Sequence, residues 1–113
     1  MRVLVCGGRN YTDKSYLFAI LNNIHRIHEI DCIIEGNQKG ADRLASLWAK
    51  ENDVSNLKFD ADWTQYGNAA GPIRNRQMIK EGKPDIVIAF PGGKGTADMI
   101  KQAKEALLKV YEV

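Results

Sequence analysis

The sequence predicts a three-layer α/β fold, in which helices cover both faces of a mostly parallel sheet of about five strands. Short apolar runs rich in β-branched residues alternate along the 113-residue chain with longer segments whose apolar residues recur at helical spacing. Turns that contain glycine separate many of these segments. Such repeated units of strand, turn and helix imply right-handed crossovers between parallel strands.

The first half of the chain contains two of these units. Arg2–Cys6 predicts the first strand, and Thr12 can cap the helix that follows. The apolar residues of this helix are Leu17, Ile20, Leu21, Ile24 and Ile27. Cys32–Glu35 predicts the second strand, and residues 41–52 predict the second helix. The apolar side of the second helix contains Leu44, Ala45, Leu47 and Trp48.

The third unit has a weaker strand signal. Residues 57–59 predict a short third strand, and a third helix opens at Asn68 or Pro72 and runs through Lys80. Residues 82–84 read Gly-Lys-Pro, which ends that helix before the fourth strand.

A glycine-rich loop follows the fourth predicted strand, Ile86–Ala89, and precedes a helix predicted over residues 97–108. The loop, residues 90–96, reads Phe-Pro-Gly-Gly-Lys-Gly-Thr. Glycines let a ligand approach the backbone closely, and the first N–H groups of a helix have no intrahelical partner. A phosphate therefore suits this position. Residues 110–113 predict a short fifth strand.

Two common phosphate-binding patterns do not fit this loop. The chain contains no Gly-x-x-x-x-Gly-Lys-Ser/Thr run, and a Gly-x-Gly-x-x-Gly pattern that starts at Gly93 ends on Asp98. Ligands of open parallel sheets nevertheless lie beyond the carboxyl ends of the strands. The residues at those ends are Gly7 and Gly8, Gly36 and Asn37, residues 60–62 and residues 91–93. We expect them to meet around one cleft.

Five ordered motifs resemble a known family. Pro-Gly-Gly-x-Gly-Thr resembles the signature of the Lonely Guy and lysine-decarboxylase-like proteins, which belong with DprA-type proteins to the SLOG superfamily of Rossmann-like nucleotide binders. Together with the other motifs it resembles the YspA-like, cpYpsA-related SLOG family. Those other motifs occupy residues 7–13, 40–45, 61–63 and 70–78. The resemblance implies a single SLOG domain over residues 1–113, with a Rossmann-like fold.

The same resemblance implies that the protein binds a nucleotide or a nucleotide-derived ligand, either as a sensor or to sequester it. The phosphate would lie at the glycine-rich loop, and no cofactor or metal is expected. The residues expected to bind the ligand are Gly7, Gly8, Arg9, Gly36, Asn37, Asp42, Asp62, Trp63, Arg74, Asn75, Pro91, Gly92, Gly93, Lys94, Gly95 and Thr96.

The resemblance to Lonely Guy proteins implies an alternative, hydrolysis of the N-glycosidic bond of a nucleoside monophosphate. Their motif carries a glutamate three residues after the threonine, where this chain has Met99. Asp98 lies about 100° away around a helix, so we expect that it does not simply replace that glutamate. Arg74 matches the arginine of their Arg-Lys-x-x-Met motif, with Asn75 in place of the lysine. The catalytic candidates are Arg74, Asp98 and Glu35, and binding ranks above hydrolysis.

Several candidates have a structural alternative that the sequence leaves open. Asp42 either offsets the dipole of the second helix or accepts hydrogen bonds from ribose hydroxyls. Thr96 either caps its helix or binds phosphate. Trp63 either stacks on a base or packs in the core. Arg9 and Asn10 either reach a phosphate or close the turn.

The charge of the chain and the spacing of its cysteines and histidines argue against nucleic acid and metal ions as partners. The net charge is +2 and the 16 lysines and arginines are spread along the chain, so single-stranded nucleic acid binding, which DprA-type relatives would allow, is the weakest alternative. Cys6 and Cys32 lack the spacing of a zinc or redox site, so we expect buried, reduced thiols. His25 and His28 lack a completing metal ligand, and we expect them at the surface.

The sequence also bears on location and assembly. No apolar run reaches the roughly 20 residues of a membrane helix, and the apolar start of the chain is too short for a signal peptide, so we expect a cytoplasmic protein with no membrane partner. Lonely Guy relatives are dimers, which implies a homo-oligomer here and first of all a dimer. Candidate faces surround Trp48 and residues 78–79, which could equally belong to the core of the chain.

Overall fold

The computed structural model describes residues 1–113 and contains a five-stranded, all-parallel sheet with helices on both faces. The strands are β1 (Arg2–Cys6), β2 (Cys32–Glu35), β3 (Ser55–Lys58), β4 (Ile86–Ala89) and β5 (Lys109–Glu112). The helices are α1 (Lys14–His28), α2 (Ala41–Glu51), α3 (Trp63–Tyr66), α4 (Ala70–Gly82) and α5 (Lys94–Glu105), with a 3₁₀ turn at Gly67–Ala69. The predicted three-layer, Rossmann-like α/β fold is confirmed.

The order of the strands places a crevice at the carboxyl ends of the two central strands. The order is β3-β2-β1-β4-β5, so the chain moves outward from β1 to β3 and then returns to the other side of β1. Cys6 pairs with Ala89, so β1 and β4 end side by side. The loops that leave these two strands diverge, and ligands of open α/β sheets bind where they do so.

The first strand shows why both faces of the sheet are covered. Val3 and Val5 belong to an apolar cluster that includes residues of α1 and α2, whereas Leu4 and Cys6 belong to a cluster with residues of α4 and α5. All four side chains are buried. Successive side chains of a strand point to opposite faces, so a strand between two helical layers is apolar at every position.

Two helix starts differ from the prediction. Asp13, and not Thr12, caps α1, since its carboxylate accepts a hydrogen bond at 3.1 Å from a backbone N–H of the first turn. Aspartate is the better N-cap of the two residue types. Helix α5 begins at Lys94, so Gly93 is its N-cap and Thr96 lies inside the first turn. The cap alternative for Thr96 was therefore wrong.

Two apolar residues predicted to face the core are exposed. Ile27 is 58% exposed and Leu47 is 38% exposed. Their positions around the helices explain this, because Ile27 lies about 80° from Leu17, and Leu47 lies about 100° from the buried Trp48. Both residues belong to the flanks of their helices and not to the sides that contact the sheet.

The segment between β3 and β4 is more divided than the sequence predicted. The third strand spans Ser55–Lys58 and not residues 57–59, and the unpredicted α3 opens at Trp63. Helix α4 then begins at Ala70, between the two predicted openings. The last strand spans Lys109–Glu112, one residue earlier than predicted.

The cysteine prediction is confirmed and one histidine prediction is not. Cys6 and Cys32 are free and buried, and burial raises the pKa of the Cys6 thiol to about 12. His28 is exposed, but His25 is half-buried. Its Nδ1 accepts a hydrogen bond at 2.9 Å from the backbone N–H of Ile30, which lies beyond the end of α1. Its ring packs edge-to-face against the Trp48 indole, with 5.3 Å between the ring centroids.

The two candidate faces for a homo-oligomer lie largely inside the chain. Trp48 is 0% exposed and Met78 is 2% exposed, and each belongs to an apolar cluster against the sheet. The alternative that these residues form the core of the chain is therefore correct. None of the helices combines the length and the apolar character that crossing a bilayer requires.

Candidate functional site

A cleft of about 620 Å³ opens at the carboxyl ends of the central strands. Its walls come from the loops that follow β1, β2 and β4 and from the first turns of α4 and α5, while α3 lies at its mouth. The cleft lies at the point where the strand order reverses, as predicted for a ligand site of this fold class.

One glycine holds three loops of the cleft together. The N–H of Gly8 donates to Pro91 O at 2.9 Å. The carbonyl oxygen of Gly8 accepts hydrogen bonds from the N–H groups of Tyr11 and Ala41, both at 3.2 Å. Gly40 has a φ of +80°, and a Cβ there would collide with Gly8 O. The approach of these backbones therefore fixes the loops relative to one another.

The first turn of α5 offers free donors to the cleft. The N–H groups of residues 93–96 make no hydrogen bond within the protein, and the first bond of the helix runs from Ala97 N–H to Gly93 O at 3.0 Å. Apart from the adjacent residues and the backbone of the helix itself, no protein atom lies within 4 Å of the place where a Cβ of Gly93 or Gly95 would be, and neither glycine has a positive φ. Packing and backbone geometry therefore do not demand these glycines, which leave the N–H groups open to a ligand.

Arg74 brings a buried cation to the same cleft. Its side chain extends from α4 and is only 6% exposed. Nη1 donates to Gly36 O at 3.0 Å and Nε donates to Asn75 Oδ1 at 3.1 Å. Arg74 forms no ion pair, because the salt bridges of the structure join other residues. Nη2 has no partner within the protein and is not sealed from solvent, because no buried side-chain nitrogen lacks a hydrogen bond, and Arg74 lines the cleft.

Two carboxyl groups lie close beneath the loop that follows β2. Asp42 lines the cleft, and its carboxylate accepts a hydrogen bond at 3.3 Å from the N–H of Gln38. Burial, reinforced by the nearby Glu35, raises the pKa of Asp42 to about 7. Glu35 is 0% exposed and does not line the cleft. Burial also raises the pKa of Glu35, although hydrogen bonds from Asn37 and Asn56 oppose the rise.

Asp98 lies in the cleft wall, and Met99 does not. The Asp98 carboxylate accepts hydrogen bonds from Asn75 Nδ2 at 2.9 Å and from Gln102 Nε2 at 2.8 Å. Met99 is 1% exposed and packs in the apolar cluster with α4, facing the sheet. The position that carries a glutamate in Lonely Guy proteins is thus buried in this chain, and Asp98 presents its carboxylate to the cleft from the neighbouring position on the helix.

Comparisons with known proteins agree with this architecture. The profile of the YAcAr family, described as the YspA, cpYpsA-related SLOG family, matches residues 1–66, more than half of the chain. The chain belongs to this SLOG family. It is also similar to the Gene 61 protein of Mycobacterium phage D29, with 32% identity over 117 residues that cover 96% of this chain and 93% of that protein. No solved structure matches. SLOG membership suggests nucleotide-related binding or processing.

The SLOG profile covers only one side of the cleft. Residues 1–66 include the loops after β1 and β2 and end with α3. Arg74, Asp98 and the free N–H groups of residues 93–96 lie beyond them. These features of the cleft are therefore observations on this structure and do not come from the profile match.

Trp63 occupies the mouth of the cleft. Its ring is 46% exposed, and the Arg9 guanidinium carbon lies 5.9 Å from the ring centroid. The core alternative for Trp63 is therefore wrong, since the indole packs neither in nor against an apolar cluster. An exposed aromatic face beside a cation is suited to stacking on a planar group.

The structure brings most of the predicted ligand-binding residues together. Those that line the cleft are Gly7, Gly8, Arg9, Gly36, Asp42, Trp63, Arg74, Asn75, Gly93, Lys94, Gly95 and Thr96. Pro91 and Gly92 instead line a shallow depression next to it, together with residues 10–13. Asn37 turns away to donate to Asp60 Oδ1 at 2.7 Å, and Asp62 caps α3.

Sequence reasoning missed some of the lining residues. These are Cys6, Gln38, Asn68, Gly71, Pro72 and Met78. The position of Cys6 at the carboxyl end of β1 is a signal that could have identified it, and Gly71 and Pro72 open a helix that points at the cleft. Gln38 gave no signal in the sequence, and its backbone N–H donates to the Asp42 carboxylate. No group of three His, Cys, Asp or Glu side chains is placed to hold a metal ion.

Proposed function

We propose that the cleft binds a nucleotide or a nucleotide-derived ligand, with a phosphate between the start of α5 and Arg74. The observation that carries this proposal is the pairing of four free backbone N–H groups, at residues 93–96, with a buried guanidinium that has no carboxylate partner. Backbone donors at a helix N-terminus and an arginine fork are the two groups that bind phosphate best in proteins.

Burial gives Arg74 a reason to bind an anion. A buried charge is costly unless it is paired, and burial lowers the pKa of this guanidinium. Its two hydrogen bonds go to neutral oxygens, and the carboxyl group of Asp42 has a raised pKa that reduces its charge near neutral pH. A phosphate would supply the missing negative charge and accept hydrogen bonds from the remaining N–H groups of Arg74.

The rest of the cleft suits the remainder of a nucleotide. A volume of about 620 Å³ falls within the range typical of small-molecule sites. Trp63 and Arg9 at the mouth offer a face on which a base can stack. In this proposal the protein acts as a sensor or sequesters its ligand, and it does so as a homo-oligomer.

The test is a calorimetric binding measurement with a panel of adenosine and guanosine monophosphates, ADP-ribose and cyclic nucleotides. Arg76 provides a matched control, since it is an exposed arginine on the same helix and outside the cleft. Arg74→Met should weaken binding by at least about tenfold, whereas Arg76→Met should leave it unchanged. If no member of the panel binds to the wild type, or if both variants behave alike, the proposal is wrong.

A second candidate function is cleavage of the N-glycosidic bond of a nucleoside monophosphate, and the position of Asp98 favours it. A carboxylate held in the cleft wall by two amides can stabilise a positive charge on a sugar or position a water molecule. Chromatography after incubation distinguishes the two functions. Intact ligand identifies a binding protein, whereas free base that is released by the wild type and not by Asp98→Asn identifies a hydrolase.

A further inference from the structure

The two oxygens of the Asp98 carboxylate have different surroundings. Oδ2 accepts both amide hydrogen bonds, from Asn75 and from Gln102. Oδ1 has no partner within the protein, and it is not sealed from solvent, because no buried side-chain oxygen lacks a hydrogen bond. Asp98 is half-buried and lines the cleft. One oxygen is therefore fixed and the other is left for a ligand.

We propose that Asp98 Oδ1 accepts a hydrogen bond from a sugar hydroxyl, so that the cleft selects ribose phosphates over their deoxy analogues. This inference rests on the proposed function and adds a specificity-determining residue to it. A carboxylate accepts hydrogen bonds and repels phosphate, so the part of the ligand that reaches Asp98 must be a donor.

The position of Asp98 identifies that donor as a hydroxyl of the sugar. Asp98 follows Lys94 by one helical turn, which is about 6 Å along the axis of α5, and helix side chains lean towards the N-terminus. The carboxylate therefore lies about one sugar ring away from a phosphate on the N–H groups of residues 93–96. Trp63 is on a different element, at the mouth of the cleft, and suits the more distant base.

Asn75 links this carboxylate to the phosphate-binding arginine. Its Oδ1 accepts a hydrogen bond from Arg74 Nε, and its Nδ2 donates to both Asp98 Oδ2 and Gly95 O. An amide side chain can accept on its oxygen and donate twice from its nitrogen in this way. Asn75 and Gln102 are therefore positioning residues, which hold the carboxylate at a set distance from the guanidinium.

The test measures dissociation constants by calorimetry for adenosine 5′-monophosphate and for its 2′-deoxy and 3′-deoxy analogues. Loss of the recognised hydroxyl should weaken binding to the wild type by about tenfold or more, as expected for a hydrogen bond to a charged acceptor. In Asp98→Asn, the side-chain oxygen keeps the two amide donors and the NH₂ group replaces Oδ1. The difference between the ribose and deoxyribose ligands should then shrink to that of a neutral hydrogen bond, because the NH₂ group can only donate to the hydroxyl and the charged acceptor is gone.

Two further variants distinguish recognition of the sugar hydroxyl by Asp98 from a general effect of negative charge and from a purely structural role. Glu105→Gln removes one exposed negative charge from the same helix and should leave the preference for ribose intact. Gln102→Ala should reduce that preference, which a merely structural residue would not do. Three outcomes would overturn the inference: equal binding of all three ligands to the wild type, equal tightening of all three by Asp98→Asn, or retention of the full preference in Asp98→Asn. If adenosine 5′-monophosphate does not bind, the same comparison is made with the member of the panel that does bind and its deoxy analogues; if no member binds, the proposed function fails and this inference fails with it.

Discussion

Replacing Asp42 with asparagine should stabilise the protein by an amount that depends on pH. Burial raises the pKa of this carboxyl group from its ordinary value of 3.8 to about 7. Between these two values the folded protein holds a proton that the unfolded chain releases, so the free energy of unfolding falls by up to about 1.4 kcal/mol for each unit of rising pH. The contribution is fully present below the unfolded pKa and is lost as pH rises through the folded pKa.

The magnitude follows from the width of that window. The raised pKa of Asp42 lowers the free energy of unfolding by about 4 kcal/mol between pH 4 and pH 8. Asparagine carries no charge and keeps an oxygen for the N–H of Gln38, so Asp42→Asn should gain up to about 4 kcal/mol at pH 8 and almost nothing at pH 4. For 113 residues, with about 2.1 cal/mol/K of unfolding entropy each, the gain is on the order of 15 °C in Tm.

The assay is urea denaturation and thermal unfolding of both proteins at several pH values from 4 to 9. Asp53→Asn is the control, because Asp53 is exposed and its replacement should change stability by less than about 0.5 kcal/mol at every pH. Glu35→Gln should move the pH at which Asp42 loses its proton downward, since Glu35 is the second cause of the raised pKa. A gain that is the same at pH 4 and pH 8 would show that the folded protein does not hold this proton, and the reasoning would fail.

Three further predictions concern the ligand. Binding of a nucleoside monophosphate at pH 7.5 should take up protons, because a new anion raises the pKa of Asp42 further; calorimetry in buffers of different ionisation enthalpy measures this, and no uptake should occur in Asp42→Asn. Gly95→Ala should raise the free energy of unfolding by about 0.4 to 1 kcal/mol, yet weaken ligand binding at least about tenfold, because its methyl group enters the space in front of the free N–H groups. A variant that both folds and binds better would contradict this. Trp63→Ala should weaken a nucleotide about tenfold and leave ribose 5-phosphate unaffected, since stacking contributes about 1 to 3 kcal/mol per base. Equal losses for the two ligands would show that Trp63 does not contact the base.

The sequence predicted the elements whose signals are local. Strands β1, β2 and β4 are continuous apolar runs because both of their faces are buried, and their bounds were predicted without error. The edge strands β3 and β5 were displaced by one or two residues, since most of their side chains are exposed and their pattern is weak. Helix α3 and the 3₁₀ turn were missed, because their residues are all exposed and show no apolar period.

The candidate site was also predicted only where its signals are local in the sequence. Glycines and the carboxyl ends of strands can be identified from neighbouring residues, and they indicated most of the cleft wall. The hydrogen bond from Asn75 to Asp98 could not be identified in this way, because the two residues are 23 positions apart and only the packing of α4 on α5 brings them together. The burial of Asp42 also depends on packing, since its charge and its position in the first turn of α2 do not indicate how much of it is exposed.

The hydrogen bond between Gly8 and Pro91 joins two loops that are far apart in the sequence. Its partners are separated by 83 residues, so the wall of the cleft closes only when β4 has joined β1 in the sheet. A partly unfolded chain therefore lacks the complete cleft, even where its first two strand and helix units are in place. Occupancy of the cleft consequently reports the integrity of the whole sheet, and any ligand that binds there selectively stabilises the complete fold.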